Sequence, residues 1–207
     1  MAVMAGRVIP MFTNNGVPGA GARRHPALDR AALGSLIVVA ALDLLFPVDV
    51  AVAAAALVAA VLHAARWLLW RPWRTARHPL VWVLHVAYAW IPIHLTLRGV
   101  AELGWVAGSA ATHALTVGAL GGLVIGMMTR TSRGHTGRAL HADRFDVACY
   151  LAVSLAAVLR VFVPIAAPAQ TMPAIFGSAL LWSFAFGLFA LRYWPVLTRP
   201  RLDGAPG

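Results

Sequence analysis

Long blocks of apolar residues alternate with short polar connections along the chain. A helix that crosses the hydrocarbon core of a bilayer needs about 20 predominantly apolar residues. Blocks that approach this length occur at residues 31–46, 50–70, 80–99, 108–129, 145–164 and 172–194. The pattern therefore predicts an all-α fold, a polytopic integral membrane bundle of about six transmembrane helices joined by short loops.

The residues outside these blocks divide the chain into three parts. Residues 1–30 are predicted to form a cytoplasmic-side segment, residues 31–194 the transmembrane domain and residues 195–207 a cytoplasmic tail. Residues 1–12 are apolar but too few to span a bilayer, and they contain Arg7 and Pro10, so they are typical of the last turns of a preceding helix. The turn-forming residues at 13–19 predict a loop after it.

The composition agrees with a lipid environment. Hydrophobic residues make up 60% of the chain, charged residues only 12%, and the mean hydropathy is +0.76, so there is too little polar surface to cover a water-soluble globule. The formal net charge is +10, which raises the question of nucleic acid. The basic residues, however, lie in short runs between apolar blocks rather than along one face, so nucleic acid is not an expected partner.

The basic residues predict the orientation in the membrane. Every second connection is rich in arginine: Arg23, Arg24 and Arg30; Arg71, Arg74 and Arg77; Arg130, Arg133, Arg138 and Arg144; Arg199 and Arg201. The alternate connections carry few basic residues. Because basic loops stay in the cytoplasm, both termini are expected to be cytoplasmic.

Histidines inside the predicted spans are the first candidates for a functional site, since ionisable side chains are costly in lipid. His63 and His85 each lie about 10 Å from the predicted cytoplasmic end of a span, and His94 and His113 about 7 Å from the outer end. Paired imidazoles at one depth on neighbouring helices are typical of a membrane haem, and copper takes the same ligands. Hydrogen bonding to neighbouring helices is the alternative. His85 and His94 are nine residues apart, on opposite faces of one helix.

Other polar and small residues add weaker candidates. Arg98 lies four residues from both His94 and Glu102, and is suited to bind a haem propionate, to pair with Glu102 or to reach the outer surface. The loop at 129–144 brings His135 and His141, as metal candidates or as polar decoration of a topogenic loop. No nucleophile with a base, paired carboxylates or phosphate loop is evident, so neither a hydrolase nor a kinase is expected. Whether the chain is an oxidoreductase is left open.

A glycine stripe in the fourth block is typical of close helix packing. It is formed by Ala114, Gly118, Gly122 and Gly126, which recur every four residues.

Several ordered motifs resemble one family. The run HALTVGALGG from His113, the run Met127-Met128-Thr129-Arg130 and the run Gly134-His135-Thr136-Gly137-Arg138 closely resemble the NnrS family of bacterial membrane proteins. The opening GRVIPMFT at 6–13 and the run Trp90-Ile91-Pro92 also resemble it. The resemblance covers almost the whole chain but only the C-terminal half of typical members, which have about twice as many spans.

The resemblance implies a haem- and copper-containing protein of the bacterial inner membrane, linked to nitric oxide metabolism or to protection against nitrosative stress. It implies the bilayer and nitric oxide as partners, together with a homo-oligomer or a separate chain that supplies the missing N-terminal half. His113 and His135 stand in the matching motifs, whereas His85 and His94 rest mainly on depth. The candidate metal ligands are thus His85, His94, His113 and His135, and the candidate cofactor-binding residues are His63, His85, His94, His113 and Arg98. Half of a transporter, or a membrane assembly module without cofactor, are the alternatives.

Overall fold

The computed structural model describes residues 1–45 and 48–204 of the chain. Within these residues the long helices are α1 Ala2–Gly16, α2 Pro26–Leu45, α3 Asp49–Leu69, α4 Pro79–Glu102, α5 Gly108–His135, α6 Arg144–Ala166 and α7 Thr171–Leu197. Short 3-10 turns at Pro72–Thr75 and Pro168–Gln170 lead into α4 and α7. No strand occurs in the described part of the chain, so the predicted all-α membrane bundle is confirmed.

Among the described residues, five helices, α3 to α7, are long and apolar enough to cross a membrane. Helix α2, which corresponds to the first predicted span, has 20 residues but carries Asp29, Arg30 and Asp43. Two of these charges are compensated, since Asp29 pairs with Arg66 and Asp43 pairs with Arg98. The predicted end of that span at residue 46, the start of the following connection at residue 47 and the end of the predicted tail at 205–207 lie outside the described residues.

The outward faces of the helices are apolar. Ile37 on α2, Val61 on α3, and Leu180 and Leu191 on α7 are 68–78% exposed. A protein in water rarely leaves large apolar side chains exposed on so many helices, whereas lipid tails solvate them without cost. The exposure therefore matches a bundle whose surroundings are hydrocarbon.

Helix α4 occupies the centre of the bundle. It packs against α1, α3, α5 and α6, while α2 packs on α3 and α7 packs on α6. Large buried side chains of one continuous hydrophobic core, among them Leu84, Tyr88 and Trp90, come from α4. Side chains on opposite faces of α4 therefore face different neighbours, which decides the surroundings of His85 and His94.

The glycine stripe of α5 lies directly against α4. A methyl group on Gly122 would come within 2.7 Å of the Ala87 Cβ, and one on Gly118 would overlap the Trp90 ring. Between His113 and Gly121 the helix widens into a π-helical segment, Ala114–Leu120, a rare geometry that is frequent near functional sites. The stripe is thus occupied within the chain, and assembly with a second chain through it is not what the structure shows.

Two helices extend further than the turn formers predicted. Helix α1 continues through Gly16, so the loop predicted from residue 13 begins only after it. In this last turn, the Asn14 side chain accepts a hydrogen bond from the N–H of Ala22 at 2.8 Å and donates one to the Ala22 carbonyl at 3.0 Å. Asparagine favours turns, and here its side chain holds the connection that follows α1 in place. Helix α5 likewise continues to His135, which shortens the predicted basic loop.

Candidate histidine site

His85 lies on the face of α4 that packs against α1. Its Nε2 is 2.8 Å from the hydroxyl of Thr13, and that hydroxyl donates its only proton to the carbonyl of Ile9, also at 2.8 Å. The hydroxyl must therefore accept a hydrogen bond from His85, so the ring carries its proton on Nε2 and a lone pair on Nδ1. This Nδ1 is buried and has no hydrogen-bond partner among the described residues.

An unpartnered buried acceptor is uncommon, because a desolvated polar atom costs about 1–3 kcal/mol. His85 as a whole is 1% exposed. The pattern of one ring nitrogen held by an oxygen while the other offers its lone pair is the arrangement found in metal-ligating histidines. Among the candidate histidines, His85 is the one whose free lone pair is fully buried.

A groove adjoins His85. Its volume is about 410 Å³, and it is bounded by the 3-10 turn after α3, by Trp67 and Trp82, and by Leu151 from α6. The indole Nε1 of Trp67 is also buried without a partner in the described part of the chain. The groove is thus bounded largely by flat apolar rings, and two of the residues that bound it, Trp67 and His85, each carry a buried polar atom without a partner, a composition that suits a largely apolar ligand with few polar contacts.

His63 has different surroundings although it is equally buried. Its Nε2–H donates to the carbonyl of Ala32 at 2.9 Å, and its Nδ1 accepts from the hydroxyl of Tyr88 at 2.7 Å. Both ring nitrogens are therefore used. Tyr88 packs on Trp70 with ring centroids 4.6 Å apart, and Trp70 contacts His85 at 6.5 Å. A haem held between His63 and His85 would have to displace these rings.

The hydroxyl of Tyr88 leads to a buried ion pair. Arg66 donates to this hydroxyl at 3.3 Å and to the carbonyl of Ala2 at 3.2 Å, while its Nε lies 2.7 Å from a carboxylate oxygen of Asp29. Arg66 is 2% exposed, and it fills the space that Gly6 leaves open on α1. The network ties α1, α2, α3 and α4 together beside His63.

The two outer histidines lie on α4 and α5, which pack against each other, but they have separate hydrogen-bond partners. His94 donates from Nδ1 to the carbonyl of Ala111 at 2.8 Å, which leaves its lone pair on Nε2. Arg160 of α6 donates to Nε2 of His113 at 2.9 Å, so the lone pair of His113 is used. His113 and Arg160 line a cavity of about 440 Å³ together with Trp105. A ring nitrogen therefore keeps an unused lone pair in His85 and His94, whereas in His63 and His113 the lone pair accepts a hydrogen bond.

The remaining predicted site residues are not joined to these histidines. Arg98 is held by Asp43 at 2.6 Å and by Glu102 at 2.7 Å, which is the ion-pair alternative foreseen from the sequence. His135 is exposed at the end of α5. No group of three or more histidine, cysteine or acidic residues suited to a metal ion occurs in the described part of the chain.

Sequence reasoning missed the residues that decide how the histidines behave. Thr13 lies in a motif that was recognised, yet its hydroxyl was given no role. Arg66 lies inside a predicted span, where an arginine is costly, and this cost was the signal that could have identified it. Tyr88 and Asp29 gave no comparable signal, because their importance depends on which helices meet.

The fold and the buried polar groups define a class, a multi-helix membrane protein with histidines inside its helical bundle. The family model described as NnrS protein matches residues 1–201. The chain therefore belongs to the NnrS protein family, as the motifs indicated. No curated protein and no solved structure was found to match it.

Proposed function

We propose that the chain is a haem- and copper-binding protein of the bacterial inner membrane, with both termini in the cytoplasm, that takes part in nitric oxide metabolism or protection against nitrosative stress. Family membership supports the class of protein. The observation that supports His85 as the residue that binds the cofactor is the buried, unpartnered lone pair on its Nδ1. Haem iron would supply a site that binds nitric oxide.

His85 would hold haem iron as a single imidazole ligand, since the described residues around it do not form a site with three or more metal ligands. Thr13 holds the Nε2–H tautomer, so Nδ1 is ready to bind without loss of a proton. The central helix α4 fixes the ring between α1 and the groove, which limits its rotation. Trp67, which bounds the groove, carries an indole N–H without a partner among the described residues, and this N–H would be a donor for a polar atom of a ligand that reaches it. One protein ligand to iron is sufficient for a haem that binds a gas.

The first experiment is an absorption spectrum of the purified full chain in detergent, with a pyridine haemochrome assay and metal analysis. We expect stoichiometric haem and a Soret band that shifts when nitric oxide is added under anaerobic conditions. A chain that stays colourless and free of metal after expression with haem precursor would refute the proposal and favour a module without cofactor.

Four matched variants then test His85. His85→Gln is expected to abolish the Soret band, whereas His63→Gln should retain it, because both nitrogens of His63 are already hydrogen bonded. His85→Gly should recover part of the Soret band when imidazole is added, because the free imidazole can occupy the position of the missing ring. Loss of the band in His94→Gln with retention in His85→Gln would move the site to the other free lone pair and refute the assignment.

Thr13→Val tests the supporting hydrogen bond. The substitution keeps the shape of the side chain but removes the acceptor that fixes the tautomer of His85. Because outer-shell partners typically contribute 10-fold to 100-fold in metal affinity, haem occupancy should fall while the fold, measured by circular dichroism, is retained. Unchanged haem affinity in Thr13→Val would show that this hydrogen bond does not prepare the ligand.

A further inference from the structure

A cluster of arginines lies at the end of the bundle where α5 and α7 end and α6 begins. Arg133, Arg138, Arg192 and Arg199 line one cavity of about 310 Å³, together with Tyr193. They come from α5, from the loop after it, from α7 and from the tail. Segments distant in the sequence thus place four arginines around one cavity.

Part of this charge belongs to a structural network. Arg133 contacts Asp146 at 2.6 Å and Asp143 at 3.2 Å, and Arg192 contacts Asp143 at 3.0 Å. The hydroxyl of Tyr193 donates to Asp146 at 2.9 Å. Burial alone would raise the pKa of Asp143, but the backbone N–H groups at the start of α6 and the Arg192 guanidinium hold that pKa below its ordinary value of 3.8. Two carboxylates therefore serve two of the four arginines.

The ion pairs found among the described residues of the cavity involve neither of the other two arginines. Arg138 donates only to the carbonyl of Thr136, at 3.4 Å, and the Arg199 side chain makes no hydrogen bond or ion pair within the described residues. The cavity thus carries two positive charges in excess of its ion pairs. Guanidinium groups bind phosphate oxygens in a planar, often bidentate geometry, so a phosphate group is the chemistry that matches this excess.

One exposed face of α7 is apolar up to the level of the cavity. It is formed by a stripe of Leu180, Phe184, Leu191 and Trp194, whose side chains are 54–78% exposed and which ends at the same end of α7 as Arg192. Tryptophan is enriched at the boundary between hydrocarbon and headgroups. An acyl chain along this stripe would bring its phosphate to the level of the cavity, which a free phosphate ion would not need.

We propose that this arginine cavity binds the phosphate of an acidic phospholipid, with one acyl chain on the α7 stripe. Basic pockets between membrane helices bind anionic headgroups in this way. The site is separate from the groove at His85, and it does not depend on haem binding.

The test compares lipids on the full chain in dodecyl maltoside micelles. Thermal unfolding is followed with added phosphatidylglycerol or the same mole fraction of phosphatidylcholine, and native mass spectrometry counts the retained lipid. We expect phosphatidylglycerol to raise the unfolding midpoint more than phosphatidylcholine and to remain bound at about one molecule per chain. An equal shift with both lipids and no retained phosphatidylglycerol would overturn the proposal, and this arm needs no variant.

Charge-matched variants locate the site. Arg138→Gln with Arg199→Gln removes the two unpaired cations and should reduce the phosphatidylglycerol shift by more than half. The control, Arg74→Gln with Arg77→Gln, removes two exposed charges from the connection between α3 and α4 and should keep the shift. Equal losses in both would show attraction by general surface charge and overturn the assigned cavity.

A third arm separates lipid from free anion. Sodium phosphate is compared with sodium chloride at equal ionic strength, on the wild-type chain and on the Arg138→Gln, Arg199→Gln variant. The lipid proposal expects little difference between the two salts. If sodium phosphate reproduces the whole shift caused by phosphatidylglycerol, the ligand is a free phosphate and the lipid source is overturned.

Discussion

Asp29 makes two ion pairs that differ in burial, and this difference predicts different energetic weights. Arg66 lies 2.7 Å from one carboxylate oxygen and its side chain is 3% exposed, whereas Arg24 lies 3.2 Å from the other and is 52% exposed. Removing one member of a buried pair leaves the partner charged and desolvated, which costs about 3–5 kcal/mol. An exposed pair contributes about 0–1 kcal/mol.

We therefore expect Asp29→Asn to lower the free energy of unfolding by about 3 kcal/mol, at the lower end of the range, because Arg66 keeps its bonds to Ala2 and Tyr88. Arg24→Gln, which removes the exposed partner of the same carboxylate, should cost less than about 1 kcal/mol. Both values are measurable by titration with sodium dodecyl sulfate in mixed micelles, followed by tryptophan fluorescence.

The comparison has a clear refuting outcome. If Arg24→Gln costs as much as Asp29→Asn, burial does not control the strength of these pairs, and the account of the network is wrong. If Asp29→Asn costs less than about 1 kcal/mol, Arg66 must find another partner or water, and its desolvation has been overestimated.

Three further predictions follow from packing, charge and topology. Gly122→Ala should cost about 1–3 kcal/mol by forcing α5 away from α4, while Gly187→Ala on α7, where a methyl group would meet nothing within 4 Å, should cost nothing in the same titration. The pKa of Asp143 is lowered in the folded chain, so its stabilising effect is present above the unfolded pKa of about 3.8 and is lost as the pH falls through the lower folded value. Asp143→Asn should therefore flatten the acid limb of a curve of unfolding free energy measured below about pH 4. An unchanged acid limb would contradict this. Reporter fusions after Gly104 should be active in the periplasm and those after Ala76 in the cytoplasm, and the reverse pattern would overturn the proposed orientation.

The sequence predicted the helices well because membrane helices are set by local properties. A bilayer fixes the length of a span, and each helix satisfies its own backbone hydrogen bonds, so no knowledge of neighbours is needed. The difference at α2 is its start, because the helix begins at Pro26 rather than at residue 31 and so includes Asp29 as well as Asp43. Their cost is offset by arginines on other helices, and such pairing cannot be seen along one segment.

The sequence also located the histidines at the correct helices but could not rank them. His63 and His85 are the same residue type, were predicted at the same depth and are both almost fully buried. What separates them is the direction of the hydrogen bond that each makes with a hydroxyl on another helix, Tyr88 of α4 for His63 and Thr13 of α1 for His85. Periodicity places a side chain on a face but does not say what that face meets.

The difference between these two histidines shows how a single hydroxyl proton assigns a role. At His63 the carbonyl of Ala32 requires the ring proton on Nε2, so Nδ1 is the acceptor and the Tyr88 hydroxyl, which itself accepts from Arg66, donates its proton to that lone pair. At His85 the Thr13 hydroxyl donates its proton to the carbonyl of Ile9 and therefore accepts a hydrogen bond from Nε2–H of the ring, so the lone pair on Nδ1 is left unused. A carbonyl facing Nε2 of His63, and a carbonyl facing the hydroxyl beside His85, thus produce one structural ring and one ring with an unused lone pair. For this reason substitution of His63 should be read out in the stability of the bundle, and substitution of His85 in what the bundle binds.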